Sequence, residues 1–205
     1  MTEVASILRT GRKFEQVLTG ARDVFMADGF EGASVDDIAR AAGVSKATLY
    51  SYFPDKRLLF IEVARVECVR MAEETTAMID EHQPIRDGLT IAARQIVTFL
   101  TSRFAQQVFR VCVAESERFP ELGRAFYENG PARGRAQLCE YFAKAVQCGD
   151  LVIDDLEIAA EQFSELCKAR LWTRAVFGIQ TEFSKREVDE VALHAVDTFM
   201  ARYGA

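Results

Sequence analysis

The 205-residue sequence predicts an all-α protein with a small N-terminal three-helix unit, residues 1–60, and a larger C-terminal helical bundle, residues 61–205. Three observations support this fold class. Apolar residues recur at three- and four-residue steps in nearly every segment, which is the period of an amphipathic helix. Capping signatures precede several of these segments. Only four prolines and twelve glycines occur, and no alternating strand pattern is present.

The first helix is predicted over the segment RKFEQVLTGARDVFMADGF and ends near Gly29. Six apolar residues follow the helical period within it: Phe14, Val17, Leu18, Ala21, Val24 and Phe25. Ser34, followed three residues later by Asp37, predicts the cap of a short second helix over residues 35–42. Gly43 supplies the backbone conformation that ends this helix.

Ser45 is predicted to cap a third short helix that runs through about Phe53. Pro54 then opens a long fourth helix, predicted over residues 56–81, which ends before Pro84. The boundary between the two units is expected inside this helix. Capping signatures in the stretches DDLE, from Asp154, and SKRE open the last two helices. The later helices are predicted over residues 85–102, 104–117, 120–127, 132–149, 155–178 and 185–202.

The charge of the chain is unevenly distributed. The formal net charge is −6. Residues 1–60 carry eight basic and eight acidic residues, whereas residues 61–205 carry 17 basic and 23 acidic ones. The acidity therefore belongs to the second part, and it does not exclude a local nucleic-acid-binding face in the first.

Several classes of protein are disfavoured by the sequence. No apolar run reaches the length of a membrane span, and the N-terminus lacks a signal-peptide core, so we expect a cytoplasmic protein that contacts no membrane. The two histidines have no metal-ligand spacing, and no phosphate-binding loop or nucleophile motif occurs. We therefore predict that the protein is not an enzyme and that it binds no metal and no cofactor. The cysteines are expected to be small buried residues, with redox sensing by one as the alternative: Cys68, Cys112, Cys139, Cys148 and Cys167.

The two short helices on either side of Gly43 have helix-turn-helix spacing, over about residues 34–53. Small Ala39 allows the next helix to cross closely, and Gly43 permits the tight turn. The apolar positions expected to seal the wedge are Ile38, Val44 and Leu49. The side chains left to point outward or along the rim are Lys46, Ala47, Thr48, Tyr50, Ser51 and Tyr52. The N-terminal end of such a helix enters the major groove of DNA.

The run GVSKATLYSYFPDKRLLF, Gly43 to Phe60, resembles the DNA-binding signature of the TetR family of transcriptional regulators. The upstream stretch FMADGFEGASVDDIARAAGV is similar to the first two helices of that family, so the resemblance covers about residues 12–60. It implies a regulator, usually a repressor, that binds a palindromic double-stranded DNA operator as a homodimer. It also implies release by a small-molecule effector that enters the C-terminal ligand-binding and dimerisation bundle.

The resemblance carries DNA-binding roles to particular positions. Thr48, Tyr52 and Lys56 are expected to contact phosphates. Lys46 and Ala47 lie nearest the base edges, and Tyr50 lies between the two groups. The N-terminal arm offers three further basic residues for backbone contacts: Arg9, Arg12 and Lys13. Phe53 is expected to be a core residue, whereas solvation of Lys56 and burial of Tyr52 are the alternatives for those two.

The C-terminal bundle is expected to hold the effector pocket and the dimer interface. A pocket rich in phenylalanine would favour a hydrophobic or aromatic effector. Its predicted wall residues are Phe104, Phe109, Cys112, Phe126, Tyr127 and Trp172. The last two helices carry apolar stripes that the resemblance assigns to the dimer interface: Phe163, Leu166, Val188, Val191, Ala195 and Phe199. Packing of both sets within one chain is the alternative, because periodicity does not separate the two.

A second function is compatible with the same sequence. An all-helical protein-interaction module could retain a degenerate helix-turn-helix that no longer binds DNA. Salt dependence distinguishes the two, because a DNA-binding protein releases counterions for each phosphate that it neutralises.

Overall fold

The chain forms eleven helices over residues 11–80 and 83–205, which are the residues that the computed structural model describes. The prediction of an all-α protein is confirmed. Leu151 and Gly204 add an isolated antiparallel bridge. The helices are α1 Arg12–Gly32, α2 Val35–Ala42, α3 Lys46–Tyr52, α4 Lys56–Met78, α5 Ile85–Thr101, α6 Arg103–Glu115, α7 Pro120–Asn129, α8 Pro131–Cys148, α9 Leu156–Leu166, α10 Trp172–Val176 and α11 Lys185–Tyr203.

Contacts between residues divide the chain into two compact units. The N-terminal unit comprises the described residues through Glu67 together with Gln107–Ala125. The C-terminal unit comprises the described part of Cys68–Gln106 together with Phe126–Ala205. The N-terminal unit thus includes a segment of α6 and α7 that no local sequence pattern indicated. The predicted boundary at residue 60, between a DNA-binding and a ligand-binding domain, stays a prediction.

Phenylalanine side chains form the centre of the N-terminal unit. Phe14, Phe25, Phe53 and Phe60 are all buried. The rings of Phe25 and Phe60 pack edge to face with centroids 4.8 Å apart, and those of Phe14 and Phe53 stack at 5.6 Å. Buried aromatic rings contribute the largest apolar areas of any side chains. They fix α1 against the start of α4 and against the residue that follows α3.

Helices α1 and α2 approach each other closely at Gly20. A β-carbon on Gly20 would lie 2.5 Å from the backbone nitrogen of Ala42 and 2.7 Å from its Cα atom. Backbone atoms cannot move aside as the end of a flexible side chain can, so this contact requires glycine. The contact sets the position of α2 and therefore of the turn that follows it.

Four helices, α5, α8, α9 and α11, enclose the core of the C-terminal unit. Phe142, Phe163 and Phe199 meet in this core, with ring centroids between 4.9 and 5.8 Å apart. The aromatic side chains of α9 and α11 are therefore used within the chain. This burial decides which residues of these two helices remain available to a partner.

The prediction of one helix over residues 155–178 is wrong, because the structure divides this segment into α9 and α10. Residues 167–171 form turns, and Arg170 has a backbone φ of 68°. The left-handed conformation ends a helix, and residues other than glycine adopt it rarely. The Arg170 Nη1 atom donates a hydrogen bond of 2.5 Å to Glu190 Oε1 on α11, which fixes the side chain at the break.

The caps of the last long helices follow the predicted signatures with one shift. Ser184 and Glu187 form the predicted capping box of α11. Hydrogen bonds from Gln180 and Ser184 lower the pKa of Glu187 to about 2. The cap of α9 is Asp155 rather than the predicted Asp154, and its carboxylate accepts a bond from the backbone N–H three residues later.

The long helix α4 ends at Met78. Its predicted end at Glu81 lies outside the described residues. Across residues 11–80 and 83–205, none of the helices combines the length and the apolar content that a bilayer crossing requires.

Substitution of Gly20 by alanine tests the close approach of α1 and α2. We expect Gly20→Ala to lower the free energy of unfolding by about 1–3 kcal/mol, because the new methyl group overlaps the backbone of Ala42. Urea denaturation followed by circular dichroism measures this change. Gly134→Ala in α8 is the matched control: no atom lies within 4 Å of its β-carbon position, so it should stabilise by about 0.5–1 kcal/mol. Equal effects of the two substitutions would contradict the close contact.

Candidate nucleic-acid interface

The turn between α2 and α3 has the geometry that the sequence predicted. Gly43 is left-handed, with φ 64° and ψ 32°, and its N–H group bonds to the carbonyl oxygens of Ala39 and Arg40. The N–H of Val44 donates to the carbonyl oxygen of Ala39 at 3.0 Å. Ala39 itself is buried. These bonds close the C-terminus of α2 and direct the chain into α3 within a few residues.

Ser45 caps α3 as predicted. Its hydroxyl accepts a hydrogen bond of 3.1 Å from the backbone N–H of Thr48 and lies 2.9 Å from the Thr48 hydroxyl. The buried side chain of Leu49 fastens the helix to the core of the N-terminal unit. A helix of seven residues has little stability of its own, so this cap and this anchor maintain it.

The outward face of α3 carries most of the residues predicted to bind DNA. Lys46, Ala47, Tyr50 and Ser51 are exposed, and Tyr50 retains 48% of its surface. Thr48 is half-buried. This face combines hydroxyl donors, an ammonium group and a small residue that permits close approach, which are the groups that contact bases and phosphates in a major groove.

The end of α3 is attached by two aromatic residues. Phe53 is buried, as predicted for a core residue. Tyr52 is half-buried, and its ring packs edge to face against Phe14 with centroids 5.7 Å apart. The ring of Tyr52 therefore contributes to the core. The contact of its hydroxyl group with a phosphate stays a prediction.

Acidic residues at the start of α2 face the start of α3. The Lys46 ammonium forms an ion pair with the Asp36 carboxylate. Hydrogen bonds from Ser34 and Arg40 lower the pKa of the neighbouring Asp37. The Asp37 carboxylate accepts both bonds and therefore does not pair with α3. The principal cation predicted to read bases thus has a carboxylate beside it, a juxtaposition that the sequence interpretation did not include.

Lys56 has a structural role that sequence reasoning missed. Its Nζ atom donates hydrogen bonds to the carbonyl oxygens of Phe30, at 2.8 Å, and Ala33, at 3.1 Å. The ammonium also lies 4.4 Å from the centroid of the Phe30 ring. It therefore closes the C-terminus of α1, where unsatisfied carbonyl groups favour a cation. The predicted phosphate contact of Lys56 stays a prediction beside this observed role.

Arg57 ties the start of α4 to the α6–α7 segment of the N-terminal unit. Asp55 caps α4 by accepting the Arg57 backbone N–H at 2.7 Å, and the Arg57 guanidinium bonds to both oxygens of the same carboxylate. These bonds lower the pKa of Asp55. The guanidinium also donates to Glu115 Oε2 at 2.7 Å and stacks 3.7 Å from the Phe119 ring centroid. Residues 55–57 are called the α4 junction below.

The basic residues of the predicted N-terminal arm are partly described. Arg12 and Lys13 lie exposed in the first turn of α1, whereas Arg9 lies outside the described residues. Their predicted contacts with the DNA backbone stay predictions.

The residues predicted to line the effector pocket are distributed over both units. Phe109 and Cys112 belong to the N-terminal unit, and the other four belong to the C-terminal unit. Burial raises the pKa of the Cys112 thiol to about 12, so this cysteine stays protonated and unreactive. Tyr127 is 52% exposed and does not fit an enclosed wall, so we correct the prediction at this position. For Phe104, Phe126 and Trp172, which are buried or half-buried, the prediction stays open.

The residues predicted to form the dimer interface have different environments in the structure. Phe163, Val191, Ala195 and Phe199 all pack in the core of the C-terminal unit. Phe163 is fully enclosed there, so its assignment to an interface is wrong. Phe199, Val191 and Ala195 also line an open groove on the same helices, so their assignment stays a prediction. Leu166 and Val188, the other two predicted residues, are half-buried against the same core.

An open groove lies on the outer side of α9 and α11. One part has a volume of about 500 Å³ and adjoins a second part of about 160 Å³. Leu166, Ala169 and Thr198 line both parts. Glu165 and Arg202 border the larger part. None of the six predicted pocket residues lines either part, so this groove is a different surface from the predicted effector site.

The fold and the exposed face of α3 define a helix-turn-helix protein that also has a larger helical domain. Residues 17–63 match the family described as bacterial regulatory proteins, tetR family. Residues 87–205, more than half of the chain, match the family described as AefR-like transcriptional repressor, C-terminal domain. The chain belongs to the TetR family of bacterial transcriptional regulators.

Two solved structures resemble the whole chain. A protein from Mesorhizobium loti MAFF303099 that is assigned to the TetR family is 31% identical, with a TM-score of 0.81 over 95% of this chain and 98% of that one. The flavonoid-responsive regulator FrrA is 32% identical, with a TM-score of 0.67 over 95% of this chain and 98% of that one.

Curated relatives match a limited part of the chain. The repressor AcnR of Corynebacterium efficiens is 41% identical over 59 residues, which are 29% of this chain and 31% of AcnR. The regulator RutR of Escherichia coli K12 is 45% identical over 53 residues, 26% of this chain and 25% of RutR. The chain thus spans less than a third of the length of these two relatives.

Replacement of Lys56 tests its role as the cap of α1. Lys56→Met keeps much of the aliphatic stem but removes the donors to two carbonyl oxygens, so we expect the free energy of unfolding to fall by about 1.5–3 kcal/mol. Urea denaturation measures it. Lys144→Ala, at an exposed position on α8, should change stability by less than about 0.5 kcal/mol. A Lys56→Met protein as stable as the Lys144→Ala control would show that the observed bonds contribute nothing.

Proposed function

We propose that this protein is a ligand-responsive transcriptional repressor that binds a palindromic operator as a homodimer. The observation that carries the proposal is the exposed polar face of α3, held behind the left-handed Gly43 in a chain of the TetR family. Such a regulator acts on chromosomal DNA, which agrees with the expected cytoplasmic location.

The DNA-binding face is proposed to act through local contacts rather than through overall charge. Residues 1–60 carry no net charge, so long-range attraction of DNA is weak. Lys46, Ala47 and Tyr50 lie at the exposed start and middle of α3, from which side chains reach base edges. Thr48, Tyr52 and Lys56 are each held by contacts within the chain and would meet phosphates without losing many rotamers.

The homodimer is proposed to form across the outer groove of α9 and α11. Exposed or half-exposed side chains of both helices border this groove, and the core residues Phe199, Val191 and Ala195 form part of its lining. A twofold interface uses the same surface of both copies, so one groove and the ridges beside it suffice for both partners.

The effector is proposed to be a hydrophobic or aromatic small molecule. Phe104, Phe109 and Phe126 make α6 and α7 rich in aromatic side chains. The relative FrrA, which matches almost the whole chain, responds to flavonoids, which are aromatic compounds. Helix α4 contributes residues to both units, so a displacement of this helix by the effector would reach Lys56 and Arg57 beside α3.

Selection of bound DNA from a random duplex pool tests the function. We expect enrichment of a palindrome and a steep fall of affinity with rising salt, because each neutralised phosphate releases counterion. Absence of any enriched sequence, with binding that does not respond to salt, would favour a protein-interaction module instead.

Lys46→Ala tests the role of α3 within that experiment. We expect loss of preference at one base pair of each half-site, worth about 1–3 kcal/mol, because the ammonium reads a base edge. Affinities for the selected operator and for a scrambled duplex measure this change. Lys144→Ala, at an exposed position of α8, should alter neither affinity. Equal weakening of both duplexes by Lys46→Ala would contradict its role as a reader.

Thr198→Arg tests the proposed dimer surface. Thr198 is exposed on α11 and lines both parts of the groove, so the larger charged side chain blocks a partner without entering the core. We expect a monomer in sedimentation velocity and an operator affinity lowered by about 100-fold or more, because the second half-site is lost. Gln147→Arg, exposed on α8, should remain a dimer. A dimeric Thr198→Arg protein of normal thermal stability would place the interface elsewhere.

A further inference from the structure

We propose that Asp36 is a specificity-determining residue that reads a G·C base pair together with Lys46. This proposal rests on the proposed function, because it assigns the chemistry of the DNA face. It adds a prediction of operator composition and a role for an acidic residue, which would otherwise only weaken binding to a polyanion.

The geometry of the pair supports the proposal. Asp36 is the second residue of α2, and Lys46 is the first residue of α3. Their side chains form an ion pair across the turn while keeping 54% and 58% of their surface. The carboxylate therefore stands beside the N-terminal end of α3, which is the end that enters a major groove.

The neighbouring acid does not share this position. Asp37 bonds to Ser34 and Arg40 and is committed to the cap of α2. Asp36 is thus the acid at the start of α2 that pairs across the turn with α3. The two adjacent aspartates have separate tasks, one in folding and one at the DNA face.

An ammonium group and a carboxylate that lie side by side complement the major-groove edge of a G·C pair. Guanine presents two adjacent acceptors, N7 and O6, which suit an ammonium group, and cytosine presents the N4 amino donor next to them, which suits a carboxylate. In an A·T pair the adenine amino group lies between two acceptors, N7 and O4. A carboxylate there meets an acceptor on either side, so the pair fits less well.

The carboxylate also penalises incorrect sequences. Exposed ion pairs are weak, so Lys46 can leave Asp36 when DNA offers better acceptors. On DNA without an amino donor at that position, Asp36 is left facing acceptors or phosphates. Repulsion from wrong partners is a common source of specificity. Asp36 therefore lowers affinity for DNA that lacks the amino donor and raises it for the operator that presents one.

The experiment compares Asp36→Asn with wild-type protein and with Asp154→Asn. The control removes the same charge from an exposed residue of the C-terminal unit. Each protein is subjected to selection from a random duplex pool. Dissociation constants are then measured for the selected wild-type operator, for a scrambled duplex and for an operator in which the indicated G·C pair is replaced by A·T. Thermal unfolding of each variant verifies the fold.

We expect the wild-type operator to contain a G·C pair whose replacement weakens binding about tenfold. Asp36→Asn should bind scrambled DNA several times more tightly, and its ratio of operator to scrambled affinity should fall by about tenfold. Selection with this variant should shift that position towards adenine, because an asparagine amide pairs with adenine N6 and N7. Asp154→Asn should match wild type.

Two outcomes would overturn the inference. One is an Asp36→Asn protein, folded as stably as wild type, with the wild-type affinity ratio and the wild-type selected sequence. The other is an equal loss of affinity for all three duplexes, which would mean a purely structural role. If wild-type protein selects no sequence at all, the proposed function fails first, so the two failures are distinguishable.

Discussion

The position of α3 depends on the α4 junction. Helix α3 ends at Tyr52, and three residues later the chain is held by charge-assisted hydrogen bonds on two sides. Lys56 binds the C-terminus of α1, and Arg57 binds Glu115 and the Phe119 ring. Bonds to charged groups contribute about 1.5–3 kcal/mol each, more than neutral ones. They attach the residues that follow α3 to α1 and to the α6–α7 segment.

The aromatic core and the junction have different effects on this geometry. Phe14 stacks on Phe53 and packs edge to face against Tyr52, which holds the end of α3 against α1. The forked contacts of Arg57 with Asp55 and Glu115 are directional and reach the α6–α7 segment. A displacement of that segment would therefore act directly on the residues that follow α3.

The sequence predicted local features well and long-range ones poorly. The Gly43 turn and the Ser45 cap depend on residues within four positions, and these predictions are confirmed. The bond between Arg57 and Glu115 joins residues 58 positions apart, so no local pattern contains it. The break before α10 depends on the left-handed backbone of Arg170, which its residue type does not favour. Apolar periodicity located the apolar faces of α9 and α11. It did not show whether these faces pack within one chain or against a second copy.

The outer groove of α9 and α11 shows which surface of these helices is open to a partner. Although the phenylalanines of α9 and α11 pack in their own core, the groove left to a partner is mostly apolar and is lined by Leu166, Ala169 and the edge of Phe199 beside longer polar side chains. Small residues such as Ala169 and Thr198 let helices approach closely. Glu165 and Arg202 border the same groove with opposite charge. In the proposed twofold dimer each contact occurs twice, so an acid from one copy and a base from the other would meet in pairs and fix the register of the interface.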